Sequence, residues 1–316
     1  MTAQEANMDI TSTNNRGKRR LAYIMGPSYS GSTLLTLLLA DHPRIATVGE
    51  LKASAMGDIT TYYCSCGEVL TDCHFWKTVQ DEMSVEGRDF TFDNFKTHFR
   101  APHHPFVDLL LRSTLRDPLF ETLRAMGFVL SCTAQETRRQ IILQNQILID
   151  IICDLQQAEN FLDDSKEPIR LKYLLKANLW DIRTIHLIRD GRGVANSYMR
   201  HNKTTMSQAS RHWLQTQREC DRMAKQLGDS RCLTVYYEDL CREPEKTLTA
   251  IYHFFGLTAK TDSASHRTKH IMGNQMRLGS LKDIRLDEKW KHTLSPDDLQ
   301  IFARTAGALN HLHGYN

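Results

Sequence analysis

Short, mainly apolar runs punctuate this chain at intervals: Leu21–Met25, Ile45–Val48, Phe161-Leu162, Ile182–Ile188 and Cys232–Val235. Runs of this length, bounded by Gly, Pro or charged residues, predict strands buried in a sheet. Between them the apolar residues recur at helical spacing. The pattern predicts helices over Thr33–Leu39, Leu171–Ala177, Val194–His201, 206–227 and Pro244–Phe255, with Gly256 as the stop of the last. A final helix should begin at Ser295-Pro296-Asp297-Asp298, where Ser caps, Pro takes the first helical position and acid fills the first turn. It should run to about Leu312. Strands alternating with helices predict an α/β fold in which a central parallel sheet is flanked by helices in a P-loop-like, three-layer arrangement.

Two stretches interrupt the alternation. Residues 1–18 are polar with no apolar core, which excludes a signal peptide and predicts a disordered leader. Residues from about 52 to 160 form an insertion between the second and third strands. Its earlier part is polar, through Cys64–Cys73, Met83–Arg100 and Ala101–Pro105. Its later part is helical, with Ile141, Ile142, Leu148, Ile149, Ile152 and Leu155 on one stripe. An insertion over the sheet's ligand-binding edge is where an acceptor substrate would be recognised. Residues 19–316 are expected to form one domain around this sheet.

Composition changes the picture little. The 316 residues carry a formal net charge of +3. That gives no basic stripe for nucleic acid. No apolar run of 18 residues occurs, so no membrane span is expected and the expected compartment is the cytoplasm. Oligomeric state is not legible.

The chemistry concentrates after the first strand, in Gly26-Pro27-Ser28-Tyr29-Ser30-Gly31-Ser32-Thr33. Strand, small-residue loop and helix form an anion cradle, because backbone N–H groups at a helix N-terminus point at the ligand. The spacing is that of a Walker A loop with Ser32 in place of the Lys that holds the β- and γ-phosphates of a nucleoside triphosphate. A phosphosulfate suits such a loop better than ATP with Mg²⁺. Gly26, Glu50, Lys166 and Arg189 all fall at or just after predicted strand ends, where ligands of open α/β sheets bind.

Together with this loop, Gly49-Glu50 after Asp41-His42-Pro43 and Leu187-Ile188-Arg189-Asp190-Gly191-Arg192 resemble the sulfotransferases. The pattern is similar to the tyrosylprotein and Golgi carbohydrate branch and its small bacterial relatives, from about Leu21 to Tyr315. The resemblance implies 3′-phosphoadenosine 5′-phosphosulfate (PAPS) as co-substrate, with no obligatory metal. It implies that Ser28, Tyr29, Ser30, Gly31, Ser32 and Thr33 hold the 5′-phosphosulfate, and that Arg189 and Ser197 hold the 3′-phosphate. It also implies that Glu50 is the general base, 21 residues after Tyr29. Lys166, in Asp164-Ser165-Lys166-Glu167-Pro168, resembles the family's catalytic Lys. Tyr237 is a candidate adenosine contact. Arg277 and Arg285 are candidate clamps on the 3′-phosphate, and Lys289-Trp290-Lys291 resembles a C-terminal family segment. Tyr29 departs from the pattern, which has Arg or Lys there; a phenol donates a hydrogen bond but no positive charge. The implied activity is sulfuryl transfer to a hydroxyl or amine of a small-molecule acceptor. The alternatives are a PAP-binding descendant with little or no turnover, and a P-loop kinase-like NTPase.

Eight cysteines in a chain without a signal peptide are expected to be reduced. Cys64, Cys66 and Cys73 cluster with His74, and three thiols and an imidazole can hold zinc tetrahedrally. The spacing is not that of a standard finger. Packing under Phe75 and Trp76 is therefore the expectation, with zinc or a local disulfide as the alternatives.

Overall fold

The computed structural model describes residues 18–53, 57–112, 118–258, 268–279 and 284–316. The expected leader, save Lys18, lies outside them. The sheet has five parallel strands: β1 (Arg20–Met25), β2 (Ile45–Thr47), β3 (Asn160–Lys166), β4 (Asp181–Ile188) and β5 (Cys232–Tyr236), in the order β2-β3-β1-β4-β5. Twelve α-helices are described. They are α1 (Ser32–Leu39), α2 (His74–Val85), α3 (Pro105–Arg112), α4 (Pro118–Leu130), α5 (Cys132–Leu155), α6 (Pro168–Ala177), α7 (Gly191–Asn202), α8 (Met206–Leu227), α9 (Tyr237–Arg242), α10 (Pro244–Phe254), α11 (Trp290–Thr293) and α12 (Pro296–Leu312).

β1 lies at the centre and shows why these residues form a strand. Its alternate side chains feed two cores, Leu21, Tyr23 and Met25 on one face and Ala22 and Ile24 on the other. The first core continues into the insertion through Trp76, Phe95, Ile142 and Leu148; the second packs Leu35, Leu240, Ile251 and Tyr252. Each fully buried Leu or Ile contributes roughly 1.5–3 kcal/mol over its exposed state. A third cluster around Trp213 and Phe302 ties α7 to α8 and α12.

Three differences from the sequence expectations stand out. β3 does not stop at Leu162; it continues through Asp163-Asp164-Ser165-Lys166, all buried. The polar 64–105 stretch holds a helix that the pattern did not predict, α2 over 74–85, which buries only the stripe Trp76, Val79 and Met83. Finally, Leu155 ends α5 partly exposed rather than on its buried face.

The chain crosses from β1 to β2 on one side of the sheet and from β3 to β4 on the other. The connections therefore diverge at the carboxyl edge, opening a crevice there. Every strand delivers residues to that edge: Gly26 after β1, Glu50 after β2, Lys166 at the end of β3, Arg189 after β4 and Tyr237 after β5.

Candidate active site

The crevice holds a cavity of about 540 Å³, lined among others by Ser28, Tyr29, Gly31, Ser32, Thr33, Glu50, Lys166, Arg189, Ser197 and Tyr237. With Arg285, eleven of the site candidates singled out in the sequence thus line one cavity. Ser30, between them, is fully buried, and its hydroxyl has no hydrogen-bond partner.

The loop after β1 is fixed by close backbone contact. A Cβ on Gly26 would lie 2.6 Å from the Leu187 carbonyl oxygen, and the Gly26 N–H donates to the Lys166 carbonyl (3.3 Å). Gly31 has φ 93°, and a Cβ there would lie 2.3 Å from the Tyr237 ring. Only glycine satisfies both demands. α1 then starts with no capping side chain and no acidic residue in its first turn. Its N-terminal residues Gly31, Ser32 and Thr33 line the crevice, where the backbone N–H groups form an anion site.

Glu50 is placed by β3. The Gly49 carbonyl accepts from Asp164 N (3.0 Å), the Lys52 N–H donates to Ser165 Oγ (3.0 Å), and Asp163 Oδ1 accepts from Ser165 Oγ (2.5 Å). On its other side Gly49, at φ 82°, lies against Met272, whose carbonyl a Cβ would approach to 2.3 Å. The Glu50 carboxylate meets Lys166 Nζ at 2.5 Å. Lys52, two residues on, pairs with Glu167 (2.9 Å).

Lys166 is buried, with φ 69°, a conformation that a non-glycine residue holds only when its surroundings impose it. Its ammonium also lies 3.6 Å from Asp164 Oδ1 and donates to the Asp164 carbonyl (3.2 Å). Burial pushes the Glu50 carboxyl up, but the attraction of Lys166 and Lys52 outweighs it and holds the group below its ordinary range. Burial would lower the Lys166 ammonium; Asp164 and Glu50 together keep it raised. Asp164 carries the cost. Burial, only partly offset by Lys166 and reinforced by the Glu50 charge, lifts it to about 7.

Across the crevice, Arg189 donates to the carbonyls of Tyr29 (2.9 Å) and Asp287 (2.9 Å). Its guanidinium lies over the Tyr237 ring (4.4 Å) and 3.2 Å from the Asp287 carboxylate. It is not paired with Asp190, which instead caps α7 and holds Arg192. Tyr29, at φ 68°, turns its ring onto α7. It stacks on His201 (5.1 Å), meets Tyr198 edge-on and accepts from Asn202 Nδ2 (3.2 Å).

Arg277 departs from its expected place. Its guanidinium donates to the carbonyls of Tyr63 (2.7 Å) and Gly273 (2.5 Å) and lies over the Tyr62 ring, so it braces the wall rather than facing the cavity. Arg285 does line the cavity. So do Lys289, from the segment that resembles a C-terminal family region, and Lys52, His201 and Asp287, to which the sequence assigned no part in the site. His74 also departs. Cys73 is the N-cap of α2, so His74 starts the helix exposed, and the histidine beside Cys64, Cys66 and Cys73 is His270.

Buried cations, a carboxylate and an uncapped helix N-terminus suit a reaction that moves an anionic group while a proton is taken from its acceptor. Comparison with known proteins points the same way. Among solved structures, the sulfotransferase domain from the curacin biosynthetic pathway shares 17% identity. It covers 94% of this chain and 98% of its own, with a TM-score of 0.51, and it shows the same fold. The sulfotransferase domain of the olefin synthase from Synechococcus PCC 7002 is 20% identical, covering 96% of this chain and 98% of its own at a TM-score of 0.49. A sulfotransferase from Alicyclobacillus acidocaldarius is 12% identical, covering 94% and 97% at 0.42. No curated protein matches the sequence with significance. The model of the sulfotransferase family matches residues 22–262, from β1 through α10 and well over half of the chain. The chain belongs to the sulfotransferase family.

Proposed function

We propose that the chain transfers a sulfuryl group from PAPS to a hydroxyl, or an amine, of a small-molecule acceptor. The observation that carries this is the Glu50–Lys166 pair, 2.5 Å apart, set beside an uncapped helix N-terminus that lacks a Walker Lys. PAPS supplies the sulfuryl group and leaves as PAP, which keeps the electron pair of the broken S–O bond.

The chain's own residues divide the remaining work. The 28–33 loop holds the 5′ end through backbone N–H groups and the Ser30, Ser32 and Thr33 hydroxyls. Arg189, a planar fork suited to phosphate, and Ser197 hold the 3′-phosphate, with Asp287 as the carboxylate that the phosphate displaces from Arg189. Glu50 takes the acceptor proton as the new O–S (or N–S) bond forms. Lys166 stabilises the charge that develops on the departing oxygen. Tyr29 contributes no positive charge, so Lys166 and the helix N-terminus supply what a basic residue there would add.

A second cavity, of about 1150 Å³, is formed by the insertion and shares Lys52 and Ala53 with the first. Its wall mixes Arg88, Lys96 and Arg100 with Asp89, Asp93 and Glu136. It is the place for the acceptor, and its mixed charge suits a polar molecule.

The test is turnover. With PAPS and a panel of small hydroxyl and amine acceptors, at least one acceptor should give PAP release and a sulfated product, with no requirement for added Mg²⁺. The acid limb of kcat/KM should lie below that of an ordinary glutamate, because Lys166 and Lys52 favour the ionised carboxylate of the free enzyme. PAP binding without turnover on any acceptor would favour the second reading, a cofactor-binding descendant. That reading is motivated by the neutral Tyr29 and its engagement with His201 and Asn202. Stabilisation by ATP–Mg²⁺ but not PAP would instead indicate an NTPase.

A further inference from the structure

Three cysteines and a histidine meet away from the reaction centre. Cys64 and Cys66 lie in a tight hairpin closed by the Tyr63–Val69 bridge, and Gly67, at φ 94°, makes its turn. Cys73 is the N-cap of α2. His270 arrives from a segment 197 residues further along the chain than Cys73. Their four ligand atoms all lie within 4.8 Å of one another.

The shorter separations are 3.6 Å for Cys66 Sγ to Cys73 Sγ, 3.6 Å for Cys64 Sγ to His270 Nδ1 and 3.3 Å for Cys73 Sγ to His270 Nδ1. A tetrahedral zinc with Zn–S of about 2.3 Å and Zn–N of about 2.0–2.1 Å requires S···S edges of about 3.8 Å and S···N edges of about 3.6 Å. Three of the six spacings fall within about 0.3 Å of those edges, and the other three lie within 4.8 Å. A disulfide is not formed: its sulfurs would be about 2.05 Å apart, and it would leave the third thiol and the imidazole unaccounted for.

The surroundings are those of metal-bound thiolates. The Cys66 N–H is directed at Cys64 and the Trp76 N–H, in the first turn of α2, at Cys73. Phe75 stacks on the His270 ring (4.3 Å), fixing its plane. Ser65, between the first two cysteines, locks the histidine's neighbours: its hydroxyl donates to the Lys269 carbonyl (2.7 Å) and accepts from Ile271 N (2.7 Å).

We infer that Cys64, Cys66, Cys73 and His270 form a structural zinc site of Cys₃His type that fastens the insertion to the 268–279 segment. All four positions are taken by protein, so the ion has no open place for a substrate and takes no part in sulfuryl transfer. Its effect on the site is mechanical. Two residues beyond His270, Met272 N donates to the Val48 carbonyl (2.8 Å), and Gly273 N donates to the Tyr62 hydroxyl (2.7 Å). Met272 and Gly273 form the wall against Gly49 and Glu50.

The zinc assignment does not depend on the proposed reaction and is read without any activity assay. The full chain, free of a histidine tag and purified without chelators, is analysed for metals by mass spectrometry. About one zinc per chain is expected. Cys64, Cys66 and Cys73 should resist iodoacetamide in the native protein and become alkylated once a strong chelator is added. Cobalt exchanged into the wild-type protein should show the visible bands of a tetrahedral thiolate site, and Cys66→Ser and His270→Ala should each lose the zinc. The alkylation and cobalt measurements use wild-type protein, so misfolding of a variant does not decide the matter. A folded, zinc-free wild type would overturn the inference, whether its three thiols alkylate freely, as packed cysteines do, or it has lost two hydrogens to a Cys66–Cys73 disulfide. Iron in place of zinc would overturn it as well.

Discussion

Replacing Glu50 by Gln is expected to lower kcat by about 10²–10⁴ while leaving PAP affinity nearly unchanged. The substitution keeps the side chain's shape and its capacity to accept a hydrogen bond from Lys166, 2.5 Å away, but removes the proposed base. The neighbouring carboxyl does not substitute for it. Asp164 is buried and lies outside the lining of the cavity, so it does not reach the acceptor's proton. Lys166 would then pair with Asp164 more closely, leaving the cation in place. Single-turnover kinetics with PAPS and calorimetry with PAP separate the two effects. A Gln variant that turns over like the wild type would make Glu50 a partner of Lys166 and nothing more.

The largest expected effect on stability belongs to a residue remote from the ligands. Arg170, on α6, is completely buried and bonds Asp163 Oδ2 (3.0 Å), the Thr97 carbonyl (2.7 Å) and Asn145 Oδ1 (2.5 Å). It joins the end of β3 to the insertion. Arg170→Met fills most of the volume but strands the Asp163 carboxylate, itself fully buried. Removing one partner of a buried pair costs about 3–5 kcal/mol, because the remaining charge stays unpaired. Denaturant unfolding should show that loss, and adding Asp163→Asn should recover part of it, because the stranded charge is then gone. A loss below about 1 kcal/mol in the single variant would mean that water reaches Asp163 when Arg170 is removed.

Asp163 connects this stability to the chemistry. Its other oxygen holds Ser165, whose hydroxyl holds the backbone beside Glu50. The same network therefore folds the insertion onto the sheet and places the proposed base.

How much of this was legible in the sequence depended on how local its cause was. The cradle was legible because strand, glycines and helix start are consecutive, and the φ 93° at Gly31 needs glycine whatever lies elsewhere. That Arg189 and Ser197 come to line one crevice was legible because one strand end and one helix set their spacing. The end of β3 was not. Asp163-Asp164-Ser165-Lys166 has the composition of an exposed loop, and partners at Glu50, Leu51, Lys52 and Arg170 make it tolerable in a buried strand. α2 was missed because three buried residues in twelve give too thin a stripe against a polar background. Arg277 was misplaced because two carbonyls, from Tyr63 and Gly273, claim its guanidinium, and a carbonyl leaves no mark in a sequence. His270 carried no local signal beside the cysteines, and adjacency drew attention to His74 instead.

The site's central claim is that it is built for a nucleotide bearing a 3′-phosphate, and calorimetric titration measures that directly. PAP should bind at one per chain, and 5′-AMP, which differs only by that phosphate, should bind roughly ten- to hundredfold more weakly, as the loss of one charge-assisted contact of about 1.5–3 kcal/mol implies. Arg189→Ala should bring PAP down to the level of AMP without altering AMP itself. PAP and AMP binding alike, or an Arg189→Ala variant that keeps the difference between them, would contradict it.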